Sequence, residues 1–481
     1  MQPIPLRLPA ESTIGRDGQE ANTRLINAYA EAHGADRDGK AAFTTYPVPG
    51  LTRFNQTSFT GAERGMILLD DSHLIAVLGV QVVQFTTAGA SSVLANLAGS
   101  DRLTMARNLN STPQIGIVNS TGQYYYLQGG TLTLPTEPNL PAPNSITYLG
   151  GYFVFGIGDG TNRIFHTPPL DLATGISALA FGYASASSDT IVRVYAHAGF
   201  LYVFKSKSLE IWQNAGTSPF AFAPVQQYVP LGLLAKFSLA ENERGMFWID
   251  HKGIVRYGRD GGALRISTHT VERAIELAGD TDRQNIVGHI VTWEGHECYQ
   301  ISAPSEWTWC YDIGMQRWFQ RASLGLTRWI GNNAIAFNGH YVVSNYANGN
   351  LYTLDTANFS EDGVEYVMEL WCPNSHRFPD GMIVDRLDID IISGQGLAPG
   401  QSTTQDELSP QLLVDYSDDG GKNFRGERAA SLGQTGQYTQ MVRLNNWGRV
   451  SQKGRIWRFR ASPRIMRGIM QASLTGRPCN A

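Results

Sequence analysis

Leu412-Leu-Val-Asp-Tyr-Ser-Asp-Asp-Gly-Gly-Lys-Asn-Phe424 reads as a strand that runs into a tight turn. Glycine at the Asp-Asp-Gly-Gly turn permits the positive φ that a short hairpin needs. Two neighbouring stretches, Arg386-Leu-Asp-Ile-Asp-Ile391 and Gly454-Arg-Ile-Trp-Arg-Phe-Arg460, follow the same pattern. Apolar and charged residues alternate with a period of two, as in a strand with one wet face. Leu387, Ile389 and Ile391 then point one way, and Asp388 and Asp390 the other. Trp457 and Phe459 face a core, while Arg458 and Arg460 face out. The chain is therefore expected to end in a small antiparallel β-sandwich-like domain with an arginine-rich outer face.

Charge is divided unevenly around that face. Of 38 Lys and Arg and 42 Asp and Glu, residues 421–481 hold twelve basic residues and one acid, Glu427. Residues 1–420 hold the other 26 basic and 41 acidic residues. Such asymmetry points to a basic end made for an acidic partner. Arg449, Lys453, Arg455, Arg458 and Arg460 are the candidate interface. The partner is nucleic acid, an acidic surface of another protein, or another copy of this chain. In the competing reading the arginines pair with local acids such as Asp388 and Asp390.

At 481 residues the chain exceeds one compact core, so more than one domain is expected. Its 51 glycines, 20 tyrosines and ten tryptophans suit an all-β, turn-rich protein. No run of eighteen apolar residues exists, so no membrane span is expected. The start, Met1-Gln-Pro-Ile-Pro-Leu-Arg-Leu-Pro9, lacks the apolar region of a secretory signal. Four irregularly spaced cysteines, Cys298, Cys310, Cys372 and Cys479, fit synthesis in a reducing cytoplasm.

Residues 1–60 are polar and irregular, with one helix-like or extended piece, Thr23–Glu31. Their prolines and glycines predict an N-terminal arm and connector, not a core element. From about residue 63 a unit recurs at intervals of about forty to fifty residues, the period of a four-stranded propeller blade. It pairs two short apolar strands across a Gly or Asn turn. Instances are Gly65–Leu68 with His73–Leu78, Gln114–Val118 with Gln123–Leu127, Ile146–Phe155, Val192–Phe204, Gly245–Ile249 with Gly253–Tyr257, Gly288–Ile301 and Ala334–Val343. These predict a β-propeller of six or seven blades over 61–370, followed by the C-terminal domain at 371–481. Trp307–Trp318 reads as a kelch-like blade end whose tryptophan wedges against the next blade. Val271–Ala278 is the best short helix, and 394–410 an insertion loop.

The residues that could carry chemistry are sparse. Ser417–Phe424 fits the Asp-box pattern S-x-D-x-G-x-x-(W/F), a hairpin staple with no catalytic element of its own. A glycosidase needs paired carboxylates, and no local pattern marks them. His296, Cys298 and Cys310 lack the paired spacing of a zinc site. No phosphate loop or dinucleotide fingerprint occurs, and Phe155-Gly-Ile-Gly-Asp-Gly160 fits a hairpin turn. Ser208 and Glu210 share a strand face and read as a hydrogen-bonded blade edge. No enzyme activity, cofactor or metal is expected.

The order of several short motifs resembles the tail-hub or nozzle proteins of short-tailed bacteriophages, the packaged-DNA stabilisation or tail accessory factor family. Asn27-Ala-Tyr29, then Pro49-Gly-Leu-Thr52, is similar to its opening. Arg64-Gly-Met66, Arg102-Leu-Thr-Met-Ala106 and Gln114–Val118 follow its first blades, and Ser208-Leu-Glu210 with Trp212 its mid-chain strand. Ser417–Gly421 with Phe424, Trp447-Gly-Arg449 and Gly454-Arg-Ile456 resemble its C-terminal domain. Residues 394–410 are longer than that family needs. The resemblance implies a structural virion protein of the phage tail, made in the host cytoplasm. It implies a homohexameric ring below the portal and its adaptor protein. That ring continues the channel for genomic DNA, retains the packaged genome and docks a tail needle, fibre or spike. It implies no catalytic residue. The alternatives are a monomeric propeller that binds a protein or glycan through loops on one face, and a propeller glycosidase.

Overall fold

The computed structural model describes residues 3–33, 43–259, 262–376, 380–396, 405–450 and 452–479. Residues 63–96, 104–133, 143–183, 191–229 and 240–265 each form one four-stranded antiparallel sheet, and 287–321 supplies the four strands of a sixth blade. Residues 331–355 supply three strands of a seventh, whose outer strand is Gly50–Arg53, antiparallel to Leu351–Asp355. The first strand of each blade is innermost. Glu63–Asp70 lies beside Thr104–Arg107, which lies beside Pro143–Leu149 and so on round the axis, until Gly331–Phe337 returns to Glu63–Asp70. The propeller thus has seven blades, and all seven sequence units fall on them.

Blade strands read as nearly continuous apolar runs because both their faces are buried. In His73–Leu78, Leu74, Ala76 and Leu78 pack against Phe337 and Val342 of the seventh blade. Ile75 and Val77 point the other way, to Ile115 and Ile117 of the second. Hairpins between strands turn tightly. Gly150-Gly151 and Asn338-Gly339 both hold two successive positive φ values, 58° and 92° in the first and 50° and 75° in the second. That pair of angles matches the right-handed twist of the flanking strands. Trp309 and Trp318 are buried against blade five, not the next blade, and Trp318 Nε1 donates to the Ile266 carbonyl at 2.8 Å. The wedge therefore points backward along the chain, because the strands it sits on turn that face to the preceding sheet. The helix expected at 271–278 is present as His269–Leu277.

Two sheets form a sandwich, the first of them continuous with the sixth blade through Ile26 beside Gln320. One contains Asn22–Ile26, Met368–Trp371, Ile456–Ala461, Gln411–Ser417 and Arg425–Ser431. The other contains Ala28–Ala32, Phe43–Pro47, Ile469–Cys479, Gly381–Ile391 and Val442–Val450, with Ile4–Leu6 against Ile469–Cys479. Leu387, Ile389, Trp457 and Phe459 are all fully buried between them, in the register the alternation predicts. The sandwich core is continuous with propeller residues Val291, Phe319, Val343 and Tyr352. The part of the expected loop at 397–404 lies outside the described residues.

The expectation for residues 1–60 is overturned. They are not a connector but supply strands to both sandwich sheets and the closing strand of the propeller. Leu25, Ala28 and Leu51 are fully buried. Proline and glycine serve here to end short strands, since the chain changes sheet twice between Asn22–Ile26 and Gly50–Arg53. Thr23–Glu31 is extended but broken at Asn27, whose φ of 53° sends the chain from one sheet to the other.

The closing strand allows no side chain at Gly50: an added Cβ would lie 2.3 Å from the Ser360 carbonyl oxygen. Gly50→Val is expected to cost at least about 2 kcal/mol by overpacking, measured by denaturant unfolding. An unchanged midpoint would show that Gly50–Arg53 is not seated in the seventh blade.

Candidate functional site: the arginine ladder of the sandwich

Strand Ile456–Ala461 lies between Met368–Trp371 and Gln411–Ser417, so its outward residues meet side chains from both neighbours. Asp415 is directly opposite Arg458. Its carboxylate accepts from Arg458 Nε at 2.8 Å and Arg460 Nη2 at 3.0 Å. Arg460 also reaches Glu427, and Arg458 lies 3.9 Å from Glu369. Arg458 also stacks 3.8 Å from the Phe424 ring centre. Arg455 is 1 % exposed. It forks onto Asp418 at 2.7 and 3.0 Å, donates to the carbonyls of Trp447 and Arg449, and covers the Tyr416 ring at 3.6 Å. Two parallel guanidinium bonds to one carboxylate are the strong form of this pairing.

Three of the five candidate residues are therefore committed inside the chain. Arg449 and Lys453 stand exposed, and no ion pair engages either among the described residues. For these three the acids are Asp415, Asp418, Glu369 and Glu427. Asp388 takes Arg443 at 2.8 Å, as the local-pairing reading expects, and Arg386 at 2.7 Å, while Asp390 accepts from Gln471. The steep charge imbalance of 421–481 arises because most of these acids precede residue 421. Residues 371–481 together hold fourteen Lys and Arg against ten acids.

The Asp box closes as a staple. Ser417 Oγ donates to Asp419 at 2.6 Å, and Asp419 accepts from the backbone of Lys422 and Asn423. Those bonds, the Ser417 one foremost, hold its carboxyl well below the usual range. Phe424 then packs on Trp371 with ring centres 4.6 Å apart. Ser208 and Glu210 are buried. Ser208 bonds Asp189, while Glu210 accepts from the Ala186 backbone and, at 3.4 Å, from Lys205. The group pins the loop at 184–189 to its blade. Cys298 and Cys310 lie in the shared core, and His296 pairs with Asp312 at 2.6 Å.

His296 belongs to the seam that sequence reading missed. Asn27 Nδ2 donates to the carbonyls of Ala322 at 2.7 Å and Val367 at 2.8 Å, and its Oδ1 accepts from the Ala322 amide. One side chain thus ties the N-terminal turn to the end of blade six and the entry to the sandwich. Tyr29, two residues on, packs edge-on to His296 at 4.7 Å and donates to Glu294 at 3.2 Å. Arg321, 1 % exposed, donates to the Pro49 carbonyl at 2.8 Å and stacks on Trp329 at 3.8 Å. The motifs Asn27-Ala-Tyr29 and Pro49-Gly-Leu-Thr52 are the signal for this seam, since they hold its turn and its closing strand.

A propeller closed by a strand of the N-terminal segment, which also adds strands to both sheets of a C-terminal sandwich, defines a two-domain structural unit. Comparison with known sequences places it. The family "Bacteriophage P22 Gp10, beta-propeller" matches residues 23–358, and "Bacteriophage P22 Gp10, beta-sandwich" matches 369–477. The chain belongs to the bacteriophage P22 Gp10 family, and is a structural protein of the phage tail. No curated protein matches it. Similar solved structures include the WD40 propeller domain of Doa1, at 10 % identity and TM-score 0.40, covering 64 % of this chain and 96 % of that one. The designed Ika8 protein matches at 10 % identity and TM-score 0.39, over 69 % and 100 %. The extracellular domain of the putative hybrid two-component system BT4673 from B. thetaiotaomicron matches at 9 % and 0.44, over 73 % and 42 %.

Asp415 is 2 % exposed and answers two guanidinium groups. Asp415→Asn should cost about 3 kcal/mol, because removing one partner strands buried charge; loss of under half that in denaturant unfolding would make the ladder ornamental. The hydrogen bond to Asp312 holds the His296 imidazolium pKa above its ordinary value, against burial. A raised folded pKa adds stability below the unfolded pKa and loses it as pH rises through the folded one. The wild type should therefore exceed His296→Gln by about 1–2 kcal/mol near pH 5.5, with the gap closing by about pH 8.5. A gap that is constant across this range would remove His296 from the seam's energetics.

Proposed function

We propose that the protein is one subunit of a homohexameric ring in the tail of a short-tailed phage, set beneath the portal and its adaptor. The ring continues the DNA channel, retains the packaged genome and docks the tail needle, fibre or spike. The observation that carries this reading is the match of both P22 Gp10 domains, in order, over nearly the whole chain. The seam supports it physically. A propeller and a sandwich that share one core move as a unit, which suits a fixed ring element holding pressurised DNA.

The conduit wall is then acidic or polar and drawn from residues 1–420, since a basic wall would grip phosphates as they pass. The arginine strands lie off the axis. Their internal pairing agrees with this, because Arg455, Arg458 and Arg460 already have carboxylate partners. Reversing those residues would break the sandwich, so Arg449 and Lys453 are the residues left to meet an acidic neighbour or the adaptor.

Mass measurement of the purified protein and an averaged image of the tail test the ring directly. A monomer at every concentration, absent from virions, would sink the reading. Arg449→Glu with Lys453→Glu should keep the fold and weaken attachment of the ring, more strongly at low salt than at high salt. Normal incorporation of the double variant into virions would exclude these two residues as contacts.

A further inference from the structure

The propeller axis carries a second concentration of charge, unrelated to the sandwich. Every blade begins with its innermost strand, so the residues that open these strands gather at one mouth of the central opening. At that mouth stand Glu63 of blade one, Arg102 before blade two, Asn144 of blade three, Arg193 of blade four, and Lys236-Phe237 before blade five. Arg102, Arg193 and Lys236 all close on one ring. Their charged groups lie 5.4, 5.6 and 5.6 Å from the Phe237 centre. Arg193 Nη1 donates to the Lys236 carbonyl at 2.8 Å, and Lys236 Nζ reaches the Asn144 carbonyl.

The acids nearby do not balance this. Glu63 lies 3.2 Å from Arg102, but its two oxygens also take Asn333 and Ser344. Glu241 faces Arg193 yet is held by His197 at 2.6 Å. Arg102 Nε and Nη1 and Arg193 Nε are buried with no protein acceptor. Arg328, from before blade seven, adds a fourth charge behind, with its own donors spent on backbone carbonyls and with Asp282 in range. Burial first, and the Arg193 charge next, bring Lys236 down to about 8. Like charges are thus gathered from three blades in a partly dry place, at a cost that a counter-anion would offset.

We propose that this mouth is a binding site for a phosphate-class oxyanion, held by Arg102, Arg193 and Lys236 above the Phe237 ring. The class follows from the geometry. The three donors approach from blades two, four and five, and a tetrahedral phosphate presents oxygens in more than one direction to meet them. A planar carboxylate matches a single guanidinium fork instead. The oxyanion comes from free phosphate or from the phosphodiester of a nucleic-acid strand, and these share the chemistry of the site.

The test is thermal unfolding of the full chain, titrated with sodium phosphate against sodium chloride at matched ionic strength. Phosphate should raise the melting temperature saturably, and chloride should not. Lys236→Met and Arg193→Gln, each checked for native circular dichroism, should weaken the phosphate response roughly tenfold or more. A fluorescent single-stranded oligonucleotide that phosphate displaces assigns the source to phosphodiester; phosphate binding that no oligonucleotide displaces assigns it to the free anion. Equal responses to phosphate and chloride overturn the proposal, even if neither variant folds. So does an undiminished phosphate response in folded variants.

Discussion

Asn27 sits where two sandwich sheets and a propeller blade meet, and its left-handed turn makes all three possible. The residue before it lies in one sheet and the residue after it in the other. Its side chain spends both ends on carbonyl and amide groups of the chain it crosses. Asparagine suits the position because it tolerates positive φ better than other non-glycine residues and can bond backbone locally. Everything downstream follows. Once the turn is set, Ala28–Ala32 and Phe43–Pro47 join the second sheet and Gly50–Arg53 reaches the open edge of the seventh blade. That edge would otherwise be an unpaired strand available to other chains. Closure also brings Pro49 over Arg321, so the buried guanidinium gains an acceptor in the same step.

Charge in this protein is arranged by strand adjacency, not by position along the chain. The arginines of Ile456–Ala461 look like a free basic face when counted by sequence. In the sheet, each stands across from or beside an acid of a neighbouring strand. Asp415 is the pivot, because it sits opposite Arg458 and within reach of Arg460. Aromatic residues then cover the paired guanidinium groups, Phe424 over Arg458 and Tyr416 over Arg455, and Trp447 covers Arg428, which donates to the Asn445 and Asn446 carbonyls. Stacking of this kind favours arginine over lysine, which explains why the face is so poor in lysine. At the propeller mouth the opposite holds. There the cations come from different blades and no strand register supplies each with its own acid.

The blades show why the propeller repeat was legible. Each strand pair must bury both faces, close with a tight turn and start again, so the sequence repeats apolar runs and Gly or Asn turns. The sandwich strands bury one face only, and their period of two placed Trp457, Phe459, Leu387 and Ile389 inside. These are local constraints: the residues that satisfy them are close in sequence, and the pattern reports them directly. Asn27-Ala-Tyr29 and Pro49-Gly-Leu-Thr52 were visible too, but only as motifs whose geometry was not.

What the tertiary structure alone decided is every pairing between distant segments. Blade count turned on a strand whose partner is 303 residues away, as in the bond from Thr52 to Asp355. The fate of Arg458 turned on Asp415, 43 residues earlier. A strand apolar on both faces fits many neighbours equally well, so its own residues do not say which edge it joins. Charge tallies fail for the same reason, because they sum along the chain while Coulomb energy depends on distance in space. Sequence by itself therefore determined the propeller repeat and the faces of the sandwich strands; the packing of Asn22–Ile26, Ala28–Ala32 and Gly50–Arg53 decided how the domains close, and the pairing of Gln411–Ser417 with Ile456–Ala461 decided which charges remain free.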